Sequence, residues 1–540
     1  MNILGQLSTK LFTARTLVGA GLLTPTRPDR LLKVGLTLQR WGPTIAAGAV
    51  ANAQSYPGET AVIDELGTLT WKDVHLRSNA LANALADAGV LEGDGIAILC
   101  RNHRGFIDAT LACAKLGAQA LYLNTAFAGP QITDVVHREK PVAMIYDHEF
   151  EALCADAAKR RKRFVAWHDA EDKPKDPLLE DLVAAGDDSD PLPPESRGRI
   201  IILTSGTTGA PKGAQRGQPS SLDPVAALLS KIPLKAREPT HIAAPMFHSW
   251  GMAHFALGIS LSSTMVLRRR FDPEGMLGAV AQHECTALAV VPVMLQRTLE
   301  LPRETIDRYD TSSLRVIAAS GSALPGELAL KVMDRFGDVL YNLYGSTEVA
   351  WATIATPEDL RAAPGSAGRP PRGTIVKLVD EDGVEVPTGE TGRIFVGNEM
   401  VFEGYTGGGN KQVVAGLMSS GDVGHFDVGG RLFVDGRDDE MIVSGGENVF
   451  PREVEDLLAD HEAVDDVAII GVPDDEFGQR LSAFVVCAPG GKVTEAELKD
   501  YVKRNLARYK VPREIHFLDE LPRNATGKVL KRELAERDGG

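Results

Sequence analysis

Short apolar runs alternate with stretches of helical apolar spacing through the first third of the chain, and this order limits the fold more than any other feature. "VHLRSNALANALADAGV" (Val74 to Val90) has helical spacing, "GIAILC" (Gly95 to Cys100) reads as a strand, and "GFIDATLACAKLGAQALYLN" (Gly105 to Asn124) repeats helix then strand. Such alternation predicts an α/β protein with parallel sheets flanked by helices. At 540 residues the chain is too long for one core, so at least two domains are expected. A β-rich region follows about Gly373, where "TIVKLV" and "GRIFVG" are separated by the turn "DEDG". The last hundred residues repeat the mixed pattern on a smaller scale, as a small α+β domain would.

Charged residues at 24% and apolar residues at 44% describe a globular protein. A net charge of -15 argues against general nucleic-acid binding, because a phosphate backbone would repel most of the surface. The five cysteines (Cys100, Cys113, Cys154, Cys285, Cys487) show no metal-ligand or redox spacing and read as buried thiols of a cytoplasmic protein. The first 50 residues differ. They carry six basic residues against one acid, Asp29, for a net +5, with apolar positions at Leu4, Leu7, Leu11, Val18 and Leu22 and again at Leu31, Val34, Leu38, Trp41 and Ile45. Two amphipathic helices separated by Pro25 and Pro28 are expected. They would dock on the protein's own body, with peripheral contact to an anionic membrane as the alternative. No apolar run reaches the roughly 18 residues of a membrane span.

"TSGTTGAPKG" (Thr204 to Gly213) follows the apolar run Ile200 to Leu203 and gathers three glycines, a serine and three threonines around one lysine. Bare backbone N–H groups, hydroxyls and a mobile cation suit phosphate oxygens. A P-loop would place Gly before the lysine and Ser or Thr after it. Here Lys212 stands between Pro211 and Gly213, and no helical pattern begins behind it.

The loop resembles the phosphate signature of the adenylate-forming superfamily of acyl-CoA synthetases, luciferases and peptide-synthetase adenylation domains. "PMFHSWG", "ASGSALP", "NLYGSTE", "SGDVG", "GRDDEMIVSGGENVFPREVE" and "RNATGK" follow in the family's order, and the resemblance runs from about Gln54 to Leu534. It implies a basic helical leader (1–50), a large domain of parallel sheets with a β-rich subdomain (51–436) and a small mobile C-terminal domain (437–540), hinged at 437–440. It also implies attack of a carboxylate on the α-phosphate of ATP with loss of pyrophosphate, then transfer of the acyl group from the adenylate to CoA.

By resemblance, Thr204, Ser205, Gly206, Thr207, Thr208, Gly209 and Lys212 wrap the β- and γ-phosphates. Thr347 touches the α-phosphate, and Glu348, with Thr204, holds Mg²⁺. Tyr344, Asn342, Gly345 and Ser346 belong to the adenine station, with Gly321, Ser322 and Ala323 beside the ring. Asp422 accepts the ribose hydroxyls and Arg437 reaches them. Lys528 neutralises phosphoryl and carboxylate oxygens in the first half-reaction. Rotation about Asp439 then withdraws it and presents Gly445 and Gly446 to the pantetheine arm. Phe247, His248, Trp250, Met252, Val291 and Met294 match the acyl pocket, with His248 as gate or carboxylate orienter. The mostly apolar lining makes a fatty acid the first expectation for the small-molecule partner. Aryl acids such as cinnamates, or an acyl-adenylate handed to a carrier protein, are the alternatives, and a homodimer is allowed.

Overall fold

The computed structural model describes the chain apart from residues 1–2, 24–27, 170–173, 205–211, 216–220, 407, 439–441, 445–446, 475–477, 507–509, 525–526 and 539–540. Two large sheets organise the N-terminal part. In the first, eight strands run in the order Thr353–Ala355, Leu340–Tyr344, Val316–Ala319, Ala287–Val290, Thr240–Ile242, Met265–Val266, Thr60–Asp64 and Gly67–Thr70, parallel except for the two outermost pairs. In the second, Gln119–Tyr122, Gly95–Leu99, Ala143–Asp147 and Lys162–Trp167 run parallel beside Ile200–Thr204. The expected parallel α/β class is therefore present. A five-stranded sheet of antiparallel pairs built on Ile375–Val379, Gly392–Gly397 and Leu417–Phe426 follows, then a smaller C-terminal unit with its own five-stranded sheet and core.

Local chemistry fixes the helices between these strands. Thr70 and Asp73 form a reciprocal capping box that starts Trp71–Asp87, and Gly117, at φ +70°, ends Arg104–Leu116 in the left-handed conformation. The helix Ser249–Ser260 lies between the two large sheets. Trp250 and Leu257 enter a core on the first sheet, whereas Met252, Phe255 and Ile259 enter a core to which both sheets contribute.

One polar turn joins the sheets. After the strand Gly95–Leu99, buried Asn102 donates both amide hydrogens, to the carbonyls of Ile242 (3.0 Å) and Ala244 (2.9 Å), and accepts from the Met246 amide (2.8 Å). His103 caps the next helix by accepting from the Gly105 amide through Nδ1, while Nε2 meets Asp147 at 2.8 Å. Arg104 then clasps Asp64 of the first sheet with side-chain contacts from 2.5 Å and its own backbone amide at 2.9 Å. Cys100 lies beside His103 and Asp147, a grouping that resembles a ligand set. Both imidazole nitrogens are already engaged within the chain, so the group reads as a helix cap and strand tie.

The leader differs from expectation in two ways. Three helices form, Ile3–Gly19, Pro28–Trp41 and Ile45–Ser55, because Gly42 at φ +65° and Pro43 break the run that the sequence pattern carries on to Ile45, and Thr44 caps a new helix. The inward face of the first is also shifted: Leu17 and Ala20 join the large core and Phe12 packs against it, whereas Leu11 and Val18 point to solvent. Thr13 bonds Asp223, and the guanidinium of Arg372 stacks on Phe12.

Replacing Asn102 with Ala is expected to lower stability by about 2–4 kcal/mol, because three bonds go and buried backbone groups lose their partner. Chemical denaturation measures this; a loss below about 0.5 kcal/mol would show that the turn does not tie the sheets.

Candidate active site

Two paired strands flank the glycine-rich segment. Ile200–Thr204 and Lys212–Gln215 pair antiparallel with Thr204 opposite Lys212, so a strand, not a helix, follows the loop. The P-loop alternative fails on this register. Ser205, Gly206, Thr207, Thr208 and Gly209, together with the Thr204 side chain, lie outside the described residues. Lys212 is exposed, with its ammonium 5.4 Å from the ring centre of Tyr405.

Tyr405 links this lysine to Glu348. Its hydroxyl donates to Glu348 Oε1 at 2.7 Å, and burial beside that carboxylate raises the phenol's pKa. Glu348 is buried, and its turn is set by Ser346, whose hydroxyl accepts from the amides of Glu348 and Val349. Gly345 is required there: a Cβ would lie 2.1 Å from the Ala350 carbonyl oxygen. Thr347, in the same turn, faces outward to Ser249, with 3.2 Å between hydroxyls.

Leu340–Tyr344 ends at a second polar group. The Tyr344 hydroxyl donates to Asp422 at 2.5 Å and lies 3.2 Å from the Ser420 hydroxyl, and burial with the adjacent carboxylate raises its pKa strongly. Asp422 and Arg437 are cross-strand partners, and the guanidinium approaches the carboxylate to 3.4 Å. Burial raises the Asp422 pKa, opposed by Arg437, Tyr344, Ser420 and Lys528. Asn342 is buried, and its Oδ1 has no partner among the described residues. Gly321, at φ +98°, brings bare backbone next to Val291, where a Cβ would stand 3.2 Å from the valine methyl. Ser322 and Ala323 continue this open rim.

Lys528 is exposed in a turn that is held tightly. Its amide donates to the Asn524 side chain (2.9 Å), Arg523 reaches the Gly527 carbonyl at 2.5 Å, and Arg523 also grips both oxygens of Asp466. Gly527 sits against the helix Pro292–Leu299, because a Cβ there would meet Val293 at 2.5 Å. The charge of Lys528 acts on Asp422 and favours its ionised form. Asp439, Gly445 and Gly446 lie outside the described residues.

The pocket residues divide between two walls. Trp250, Val291 and Met294 belong to the core of the first sheet, whereas Phe247 and Met252 belong to the core that both sheets share, where Met252 sulfur accepts from Tyr122 (3.5 Å). His248 precedes the helix, packs on Phe247 and lies 3.5 Å from the Asn124 side chain; burial pushes its pKa down to about 4, so it is neutral near pH 7. Tyr405 and His254 are not recognisable in the sequence. "EGYTG" carries no motif, and His254 reads as one more residue of an apolar helix.

The described residues therefore link Lys212 through Tyr405 to Glu348, and, at the other end of the same turn, Tyr344 to Asp422 and Arg437, with the charge of Lys528 acting on Asp422. A model described as AMP-binding enzyme matches residues 50–406, and one described as AMP-binding enzyme C-terminal domain matches residues 453–528. The chain belongs to the AMP-binding enzyme family. This AMP-binding enzyme is an AMP-forming acid–thiol ligase, and adenylate-forming CoA ligases use ATP and CoA. Feruloyl-CoA synthase of an Amycolatopsis species is 34% identical to it, over 91% of this chain and 98% of its own. Indoleacetate–CoA ligase of Aromatoleum aromaticum is 32% identical over 89% and 95%. A solved o-succinylbenzoate CoA synthetase from Bacillus subtilis, in complex with its acyl-adenylate intermediate, superposes with a TM-score of 0.78 at 28% identity, covering 90% of this chain and 97% of that one.

His75, His241, His248 and His254 of this AMP-binding enzyme are all pushed down to about 4, chiefly by burial, from an ordinary 6.5. Between those values the unfolded chain binds more protons than the folded one, so stability falls as pH falls through this window. Urea midpoints at pH 7.5, 6 and 5 should decline in that order, above the range where most carboxylates titrate; a flat series would contradict the buried neutral imidazoles.

Proposed function

We propose that this enzyme activates an aryl or arylalkyl carboxylic acid of the cinnamate type as its CoA thioester. A carboxylate oxygen attacks the α-phosphorus of ATP and pyrophosphate leaves; the thiol sulfur of CoA then attacks the acyl carbonyl, AMP leaves, and the thiol proton passes to solvent. The observation that carries the reading is two linked groups, Lys212–Tyr405–Glu348 and Tyr344–Asp422–Arg437 with the charge of Lys528 acting on it, which would supply the cations and donors that developing phosphoryl charge needs. The unpartnered Asn342 Oδ1 and the bare backbone at Gly321 suit an adenine with its exocyclic amine. Asp422 would take the ribose hydroxyls. Glu348, with Thr204, would hold Mg²⁺, whose preference for hard oxygen fits a buried carboxylate; when bound, the cation offsets triphosphate charge.

The aryl choice is supported by the substrates named for the feruloyl and indoleacetate relatives and by the aromatic walls Phe247 and Trp250. The buried apolar Met252, Val291 and Met294 favour a second reading, a fatty acid. Rotation at 437–440, through Asp439, would withdraw Lys528 and bring Gly445 and Gly446 to the pantetheine arm. A panel of cinnamates and of acids from C2 to C24, assayed with ATP and CoA, separates the two readings. Absence of pyrophosphate release with every acid would defeat both.

Peripheral contact with an anionic membrane is proposed for the leader, because Leu11, Val18, Leu36 and Leu38 are exposed alongside Lys10, Arg15, Lys33 and Arg40. No helix among the described residues is long and apolar enough to cross a membrane. Sedimentation with phosphatidylglycerol vesicles tests this, and equal recovery with neutral vesicles would count against it.

Lys528→Ala should slow adenylate formation by about 10²- to 10³-fold yet leave thioester formation from supplied acyl-adenylate largely intact. Equal loss in both half-reactions would remove the two-pose mechanism.

A further inference from the structure

His254 is 2% exposed on the helix Ser249–Ser260, one turn beyond Trp250, and the two rings meet edge to face with centroids 4.5 Å apart. Its Nε2 has no hydrogen-bond partner among the described residues. Two other deeply buried histidines are paired: His241 through Nδ1 to the Val266 carbonyl, and His103 through both nitrogens. The neighbouring indole offers His254 nothing, because the Trp250 N–H is spent on the Val290 carbonyl at 3.0 Å. An unpaired polar atom in a packed interior is costly, and such atoms in native proteins are rare enough to call for an explanation.

The position on the helix supplies one. His248, at the helix start, stands beside Ser249, whose hydroxyl faces Thr347, so this end of the helix belongs to the nucleotide side. His254 lies six residues further on, roughly 9 Å along the axis at the helical rise, a span comparable to a phenylpropenoate skeleton. Trp250, between them, shares the core that holds Val291 and Met294. Burial pushes the imidazole down to about 4, so it is neutral at working pH and cannot balance a charged tail. A neutral imidazole carries one donor and one acceptor nitrogen, and a hydroxyl can pair with either.

We propose that His254 is a specificity-determining residue, and that the acid this enzyme takes is an aryl acid with a ring hydroxyl at the end remote from the carboxylate, paired with His254 Nε2. The inference rests on the ligase reading of the same pocket and narrows it. A site that hydrogen-bonds a substrate hydroxyl rejects the analogue lacking it, because its own buried group is then stranded.

The test compares cinnamate with 4-hydroxycinnamate by acid-dependent pyrophosphate release, for the wild type, His254→Leu and His254→Gln, with melting curves of each protein. Wild type should favour the hydroxylated acid by about 10- to 100-fold in kcat/KM. His254→Leu should bring that ratio close to one, and His254→Gln should keep part of it. Removing a stranded polar atom should leave the ligand-free melting temperature of His254→Leu level or higher. A wild-type ratio near one, a ratio unchanged by His254→Leu, or an equal loss on both acids with a lower melting temperature would each overturn the proposal. Preference for saturated acids with neither cinnamate used would overturn it while leaving the ligase intact; silence with every acid would instead defeat the ligase reading.

Discussion

The Asn102 amide is the constraint on which the rest of the site depends. It is anchored after a strand of the second sheet and holds the backbone from Ile242 to Met246, at the end of a strand of the first. Phe247 and His248 follow directly, and the helix that carries Trp250 and His254 begins there. One buried side chain, with both its donors and its oxygen engaged, therefore fixes the separation of two sheets and the start of one wall between them. Strand pairing does not do this, because among the described residues the two sheets share no ladder. The Arg104–Asp64 clasp, two residues on, adds a charged contact in the same place, with its carboxylate fully buried and multiply bonded, the condition under which a buried pair resists opening.

A second dependency runs through Asp422. Its carboxylate is held by Tyr344 from one sheet, by Arg437 from the adjoining strand and by the field of Lys528 from the small domain. Three separately folded pieces thus converge on one acid. Withdrawing Lys528 leaves that acid less well compensated, so in the proposed mechanism the pose of the small domain and the charge balance at the ribose are linked. The Gly527 turn seated on Val293 keeps this pose, with Arg523 and Asp466 stiffening the turn from behind.

Much of this was legible in the sequence, for identifiable reasons. The alternation from Val74 to Asn124 carries the parallel sheet because buried central strands need continuous apolar runs. Tyr344, Glu348, Asp422, Arg437 and Lys528 stand out because their motifs resemble those of adenylate-forming enzymes, and their roles there are part of the proposal. The leader was harder. Periodicity located its first two helices but not their inward faces, since Leu17 and Leu11 look alike until a partner surface selects one. The break at Gly42 and Pro43 lay in plain view, yet apolar spacing continued across it to Ile45. Asn102, Tyr405 and His254 carry no local signature. Each acquires its role from a residue more than 35 positions away or from a partner it lacks, and spacing along the chain contains no trace of either.

The hairpin at Thr204 and Lys212 sets this enzyme apart from nucleotide binders whose glycine loops open a helix. There the aligned peptide dipoles of the helix add a fixed positive pole beneath the phosphates. A loop returning into a strand has no such pole, so a triphosphate seated on it would be balanced by mobile side-chain cations drawn from two different domains. Grip on the nucleotide would then weaken steeply in concentrated salt and, in the proposed mechanism, would lapse whenever the domains part, which would give spent AMP a route out.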